Sequence, residues 1–195
     1  SISGDAFDYT ALHARSYYDD DVLALFAEAM SALDAQIDYS DYDANADGYI
    51  DAVYLHFAGG DTGWMSTWWS ITQTWGDTGT AFDGVKPSKV VTLHLPSDDP
   101  FAAATVIHET GHVLGLPDYY SASTQSGGAF WPSGIMGSDM MMDNVGDHNG
   151  FSKWLLGWLD EDEVTRVEAS SAGIVVSRGG EVVERVSPGD DGTSA

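Results

Sequence analysis

Between residues 19 and 37 apolar side chains return every three or four positions: Val22, Leu25, Phe26, Ala29, Met30 and Leu33. That spacing places them on one stripe of an α-helix, so an amphipathic scaffold helix is predicted there. Asp19, Asp20 and Asp21 stand at its start, where carboxylates complement the positive end of the helix dipole. Residues 51–57 change the pattern. They read Asp-Ala-Val-Tyr-Leu-His-Phe, rich in β-formers and closed by Gly59-Gly60, and predict a strand. Residues 90–95 read the same way, residues 64–75 are a further candidate, and residues 76–89 read as a loop. Apolar residues 102–107 and Val113-Leu114 flank a buried helix. Phe151, Trp154, Leu155 and Trp158 share one face of another helix within residues 149–158. Beyond residue 160 the chain turns charged, with short strands expected at 173–177 and 181–186. Helices and strands in mixed order predict an α+β protein. The predicted domains are residues 1–160 and a linker or further β-rich segment at 161–195. No internal repeat is visible.

The predicted buried helix carries chemistry. Residues 108–118 read H-E-x-x-H-x-x-G-x-x-D, that is His108, Glu109, His112, Gly115 and Asp118. Two histidines four apart share one helix face, so both imidazoles can reach a single ion. Glu109 then lies beside that ion, placed to take a proton from a metal-activated water. Gly115 is suited to end the helix, because glycine tolerates the left-handed conformation a helix stop uses, and Pro117 prevents resumption. A sharp turn there brings Asp118 back towards the histidines. Three protein ligands and one open position form the catalytic zinc pattern. The rivals for third ligand lie downstream: Asp139, Asp143, Asp147 and His148. The chain has no cysteine, which excludes thiolate zinc sites and thiol nucleophiles. Met136, with Met140 as second choice, is expected to form a soft apolar floor beneath the metal. His56 reads as a packed strand residue.

A second motif precedes the first strand. Counting from Asp43, oxygen-bearing side chains fall at positions 1, 3, 5 and 9 (Asp43, Asn45, Asp47 and Asp51), with Gly48 at position 6. This is the opening of an EF-hand-type calcium loop. Position 12 is Tyr54, where such a loop needs glutamate, so Asp51, with Asp41, would have to complete the shell.

Composition limits the partners. Thirty-one acidic residues against seven basic ones give a net charge of −24. That balance argues against nucleic acid and anionic membranes, which call for basic patches. No apolar run reaches membrane-spanning length. The abrupt start at Ser1 and the ending Ser194-Ala195 predict an excised fragment, so a missing signal peptide carries little information.

The motifs together resemble the secreted bacterial metallopeptidases of the immune inhibitor A family, within the wider metzincin-like group. The matching pieces come in order: residues 39–51, then 108–118 with the ending Leu116-Pro117-Asp118-Tyr119, the methionine segment near Met136, and residues 153–159, Lys-Trp-Leu-Leu-Gly-Trp-Leu. The resemblance implies a zincin/metzincin-like α+β fold: a twisted mixed sheet packed on helices, an active-site helix, and a smaller C-terminal lobe. It implies an extracellular zinc endopeptidase acting on protein or peptide substrates, a monomer that does not insert in membranes. His108, His112 and Asp118 would be zinc ligands, Glu109 the general base, and calcium a structural ion. Many metzincins place a tyrosine two residues after the turn methionine to stabilise the oxyanion. Ser138 stands at that spacing here, which leaves Tyr119, Tyr120 and His148 as candidate donors.

Two other readings compete. One is an inactive, calcium-stabilised binding or adhesion module with a vestigial zinc site; the intact Glu109 argues against it. The other is a different zinc amidohydrolase, such as a deformylase, which would use a cysteine ligand.

Overall fold

The computed structural model describes residues 4–63, 66–76, 80–96, 99–120, 138–144, 146–170 and 173–186. The chain is mixed α+β and divides into two compact units, Ser1–Asp118 and Tyr119–Ala195. Composition instead marks residue 160, where charge density rises. Within the second unit that point is the 3-10 turn Glu161–Glu163, at which a β-meander begins.

In the first unit the predicted scaffold helix is α1, Val22–Leu33. It is shorter than its apolar pattern because Asp21 caps it, accepting a hydrogen bond from Ala24 N at 3.2 Å. Strand β1 is Tyr49–Ile50, β2 is Val53–His56, β3 is Ile71–Thr74, β4 is Lys86–Pro87 and β5 is Lys89–Leu93. Three of them form a mixed sheet in the order β2-β5-β3, with β2 parallel and β3 antiparallel to β5. β1 and β4 pair in parallel as a separate two-stranded ribbon. That ribbon lies where residues 76–89 read as loop. A two-residue pairing made of lysine and proline has no apolar alternation to reveal it. Lys86 N donates to Gly48 O at 3.0 Å and carries the pairing back to the acidic turn.

Alternation along the strands decides which helix covers which face of the sheet. Val53, Leu55, Val90, Ile71 and Gln73 share one face by register. Val22 and Phe26 of α1 pack there against Val90, Val53 and Leu55. Tyr54, Val91 and Thr72 share the opposite face, which receives α2, Ala102–Val113. The outer end of α1 sits in a second cluster, where Met30 meets Tyr39, Ile50, Phe82 and Val85.

The second unit begins with α3, Met140–Asp143, and α4, Gly150–Leu155. Asp139 caps α3 and Asn149 caps α4. Strands β6 (Thr165–Ser170), β7 (Gly173–Arg178) and β8 (Glu181–Val186) form an antiparallel meander. β6 falls in the stretch that reads as a charged linker: Arg166 and Glu168 alternate with Val167 and Ala169, a strand pattern hidden by its charge. Among the described residues, no helix is long and apolar enough to cross a membrane.

Phe26 is 1% exposed between α1 and the sheet, whereas Leu12 is 76% exposed. Phe26→Ala is expected to cost ~3–5 kcal/mol. Leu12→Ala should stay within about 0.5 kcal/mol. Urea-unfolding midpoints of the two variants check the contrast.

Candidate metal centre

α2 presents His108, Glu109 and Gly111 as its buried residues, while the apolar Ile107 and Leu114 on either side of them are exposed, so the polar face of the helix and not its apolar run is turned inward. The helix ends as its sequence predicts. Leu114 caps it and Gly115 takes φ +100°, a conformation in which an L side chain is strained. Gly115 N donates to His112 O at 3.1 Å and Leu116 N donates to Gly111 O at 2.9 Å. This pair of bonds is a Schellman motif, and Leu116, the residue that follows Gly115, is buried. The reversed chain then delivers Asp118. Its Oδ1 lies 3.2 Å from His108 Nε2 and 3.2 Å from His112 Nε2. The two rings stand at 86° with centroids 4.9 Å apart.

All three ligand atoms lie within 4.8 Å of one another, and among the described residues no other three His, Asp or Glu side chains gather in this way. His112 Nδ1 is 2.8 Å from Leu116 O. A carbonyl can only accept, so Nδ1 carries a proton and Nε2 of the neutral ring keeps its lone pair for an ion. Two imidazoles and one carboxylate suit a divalent transition ion with a position to spare. Burial alone would lower the His112 pKa, but Asp118, the Leu116 carbonyl and Glu109 outweigh it and hold the value above normal.

Glu109 is 6% exposed. Burial pushes its carboxyl above the usual range, against the pull of the Thr72 hydroxyl and of both imidazoles. Thr72 Oγ1 lies 2.8 Å from Glu109 Oε2 and 2.9 Å from Glu109 O. On the other flank, Tyr54 OH is 3.0 Å from Thr110 Oγ1. Thr110 gives its own proton to Val106 O at 2.7 Å, so Tyr54 is the donor. The helix is thus tied to both outer strands, β2 and β3. Thr72 has no signature in the sequence, because the contact spans 37 residues and depends on strand register.

The other expected residues have surroundings of their own. Met136 lies outside the described residues. Met140 is buried at the start of α3, in the second unit. Asp139 is fully buried and its carboxylate is occupied: it accepts from Met141 N at 2.8 Å, Asn149 N at 2.8 Å and Ser152 Oγ at 2.6 Å. Asp147 pairs with Lys153, and Asp143 ends α3. His148 is buried, with Nδ1 3.8 Å from Asp139 Oδ1. Tyr119 OH bonds Ser152 Oγ at 2.9 Å, while Tyr120 is half-buried and Ser138 exposed. His56 lies on β2 outside the ligand cluster.

In the acidic loop, Asp43 accepts from Asp47 N at 3.0 Å and Gly48 N at 2.8 Å. Asn45 Nδ2 donates to Asp47 at 3.0 Å, and Asp51 accepts from Ala44 N at 3.3 Å. Gly48 sits at φ +87°. The carboxylates of Asp43, Asp47 and Asp51 order this turn without drawing together as His108, His112 and Asp118 do.

No family model, curated protein or solved structure matches the chain.

Asp139 generates a pH prediction. Burial would raise its pKa, but the bonds from Ser152, Asn149 and Met141, with His148 nearby, hold it below the ordinary 3.8. A lowered folded pKa adds stability that is present above that ordinary value and is lost as pH falls through the folded one. Asp139→Asn should therefore be less stable than the parent at pH 7, and the gap should narrow as pH falls below about 3.8. Urea midpoints at pH 7 and pH 3 measure it.

Proposed function

We propose that the chain is an extracellular zinc endopeptidase of the immune inhibitor A type, with a metzincin-like catalytic fold. The observation that carries this reading is the convergence of His108 Nε2, His112 Nε2 and Asp118 Oδ1 beside the buried carboxylate of Glu109. Zinc, when bound, supplies a Lewis acid that polarises the scissile carbonyl and makes a water more acidic. Glu109 takes a proton from the attacking water and hands it to the leaving amine. Its burial favours this role, because a carboxylate shielded from bulk water exchanges its proton with the reacting groups rather than with solvent. His112 is held by Leu116 and Asp118, so its ring does not have to be oriented anew for each turnover. No covalent intermediate is required, and the chain has no thiol to form one.

The substrates in this proposal are proteins or peptides. A structural calcium ion at Asp43, Asn45, Asp47 and Asp51 belongs to the same reading. It is supported by the spacing of the oxygens and by the turn at Gly48 that aligns the loop.

Elemental analysis of the purified chain, run beside casein cleavage with and without a chelator, tests the proposal. One zinc per chain with chelator-sensitive cleavage is expected. Zinc without cleavage would favour the binding-module reading, and absence of zinc after incubation would sink the site. Glu109→Gln should keep its zinc while cleavage falls about 10²–10⁴-fold. Asp118→Ala should lose zinc and activity together. Protein stripped of metal and reloaded with zinc alone should melt below protein given calcium as well; an unchanged melting temperature would remove calcium from the account.

A further inference from the structure

We propose that Thr72 is a positioning residue for Glu109: its hydroxyl clamps the carboxylate against the backbone of α2, in the pose the proton transfer needs. This inference rests on the peptidase reading for its role, and on geometry for the clamp itself.

Glu109 projects from a helix on a side chain with several rotatable bonds, so burial alone does not choose its pose. Thr72 Oγ1 touches two atoms of the same residue, Oε2 at 2.8 Å and the backbone O at 2.9 Å. Its single hydrogen goes to one of these acceptors at a time or is shared between them, and in either case the oxygen packs against both ends of the Glu109 side chain and restricts the torsions between them. Thr72 is itself well fixed. It pairs with Val91 in the β3-β5 ladder, and a β-branched side chain has little freedom at χ1.

The hydroxyl also suits a partner that gains and loses a proton. It has one hydrogen to give and lone pairs to receive. While the carboxylate is charged, Thr72 donates to Oε2. While the carboxyl holds a proton, it donates to Thr72, and Thr72 turns its own hydrogen to the Glu109 carbonyl. The hydroxyl is therefore a fitting partner for Glu109 in either state, and the clamp itself rests on its two short approaches to that residue. Tyr54 offers a built-in comparison. It ties the same helix to the other outer strand, through Thr110, without touching Glu109.

The test uses Thr72→Val, Thr72→Ser and Tyr54→Phe, with Thr72→Ala in reserve should the valine variant not fold. Zinc content should be equal in all. With zinc-loaded protein, Thr72→Val should lower kcat roughly 10- to 100-fold and leave KM within about twofold, the signature of misplaced chemistry rather than weakened binding. Thr72→Ser should recover most of kcat, and Tyr54→Phe, which loosens the same helix without removing a contact to Glu109, should lower kcat less than Thr72→Val does. Crystal structures of the metal-free variants supply a readout independent of turnover: the Glu109 carboxylate should leave its place in Thr72→Val and keep it in Thr72→Ser. Parental kcat in Thr72→Val, or a Glu109 carboxylate still in place there, would overturn the assignment. If the parent protein binds zinc but cleaves nothing, the peptidase reading fails, and the crystal comparison alone decides the clamp.

Discussion

Three electron-rich atoms held within 4.8 Å of one another repel until a proton or a cation stands among them. The first unit supplies the forces that oppose this repulsion. The sheet faces two helices at once, so α2 cannot retreat from its position without uncovering Val91 and its neighbours. Tyr54 and Thr72 fasten it from both sides. The reversal at Gly115 then leaves Asp118 little choice of direction. None of these contacts is strong alone: hydroxyl bonds of this kind contribute about 1 kcal/mol each. Their value lies in geometry, because the site depends on where the donor atoms are held.

Much of this was legible in the sequence, and for a physical reason. The histidine spacing, the helix stop and the carboxylate after it are local, and local geometry follows from residue order. The apolar stripe of α1 and the β-rich runs of β2 and β5 were legible on the same grounds. Long-range pairings were not. β4 joins β1 through Lys86 and Pro87, two residues whose side chains announce no strand. Thr72 could be any strand threonine until register places it over Glu109.

Asp139 and His148 show the limit from the other side. Residue type made both of them candidate ligands. Yet a buried aspartate with three donors on it is the hub of a local network: it caps α3, holds the entry to α4 and receives Ser152. A carboxylate that binds a metal and one that caps a helix look the same in a sequence. Only the count of donors around the oxygens separates them.

All three ligand atoms come from eleven consecutive residues, and only five residues separate His112 from Asp118. Closing so short a loop costs little chain entropy. The connectivity of the cluster is therefore local, with low contact order, while the long-range contacts of Tyr54 and Thr72 fix where its helix sits. During synthesis it can form as soon as β5 and α2 have emerged, before the remainder of the polypeptide exists. The arrangement of the three donor atoms is thus decided early, ahead of the rest of folding.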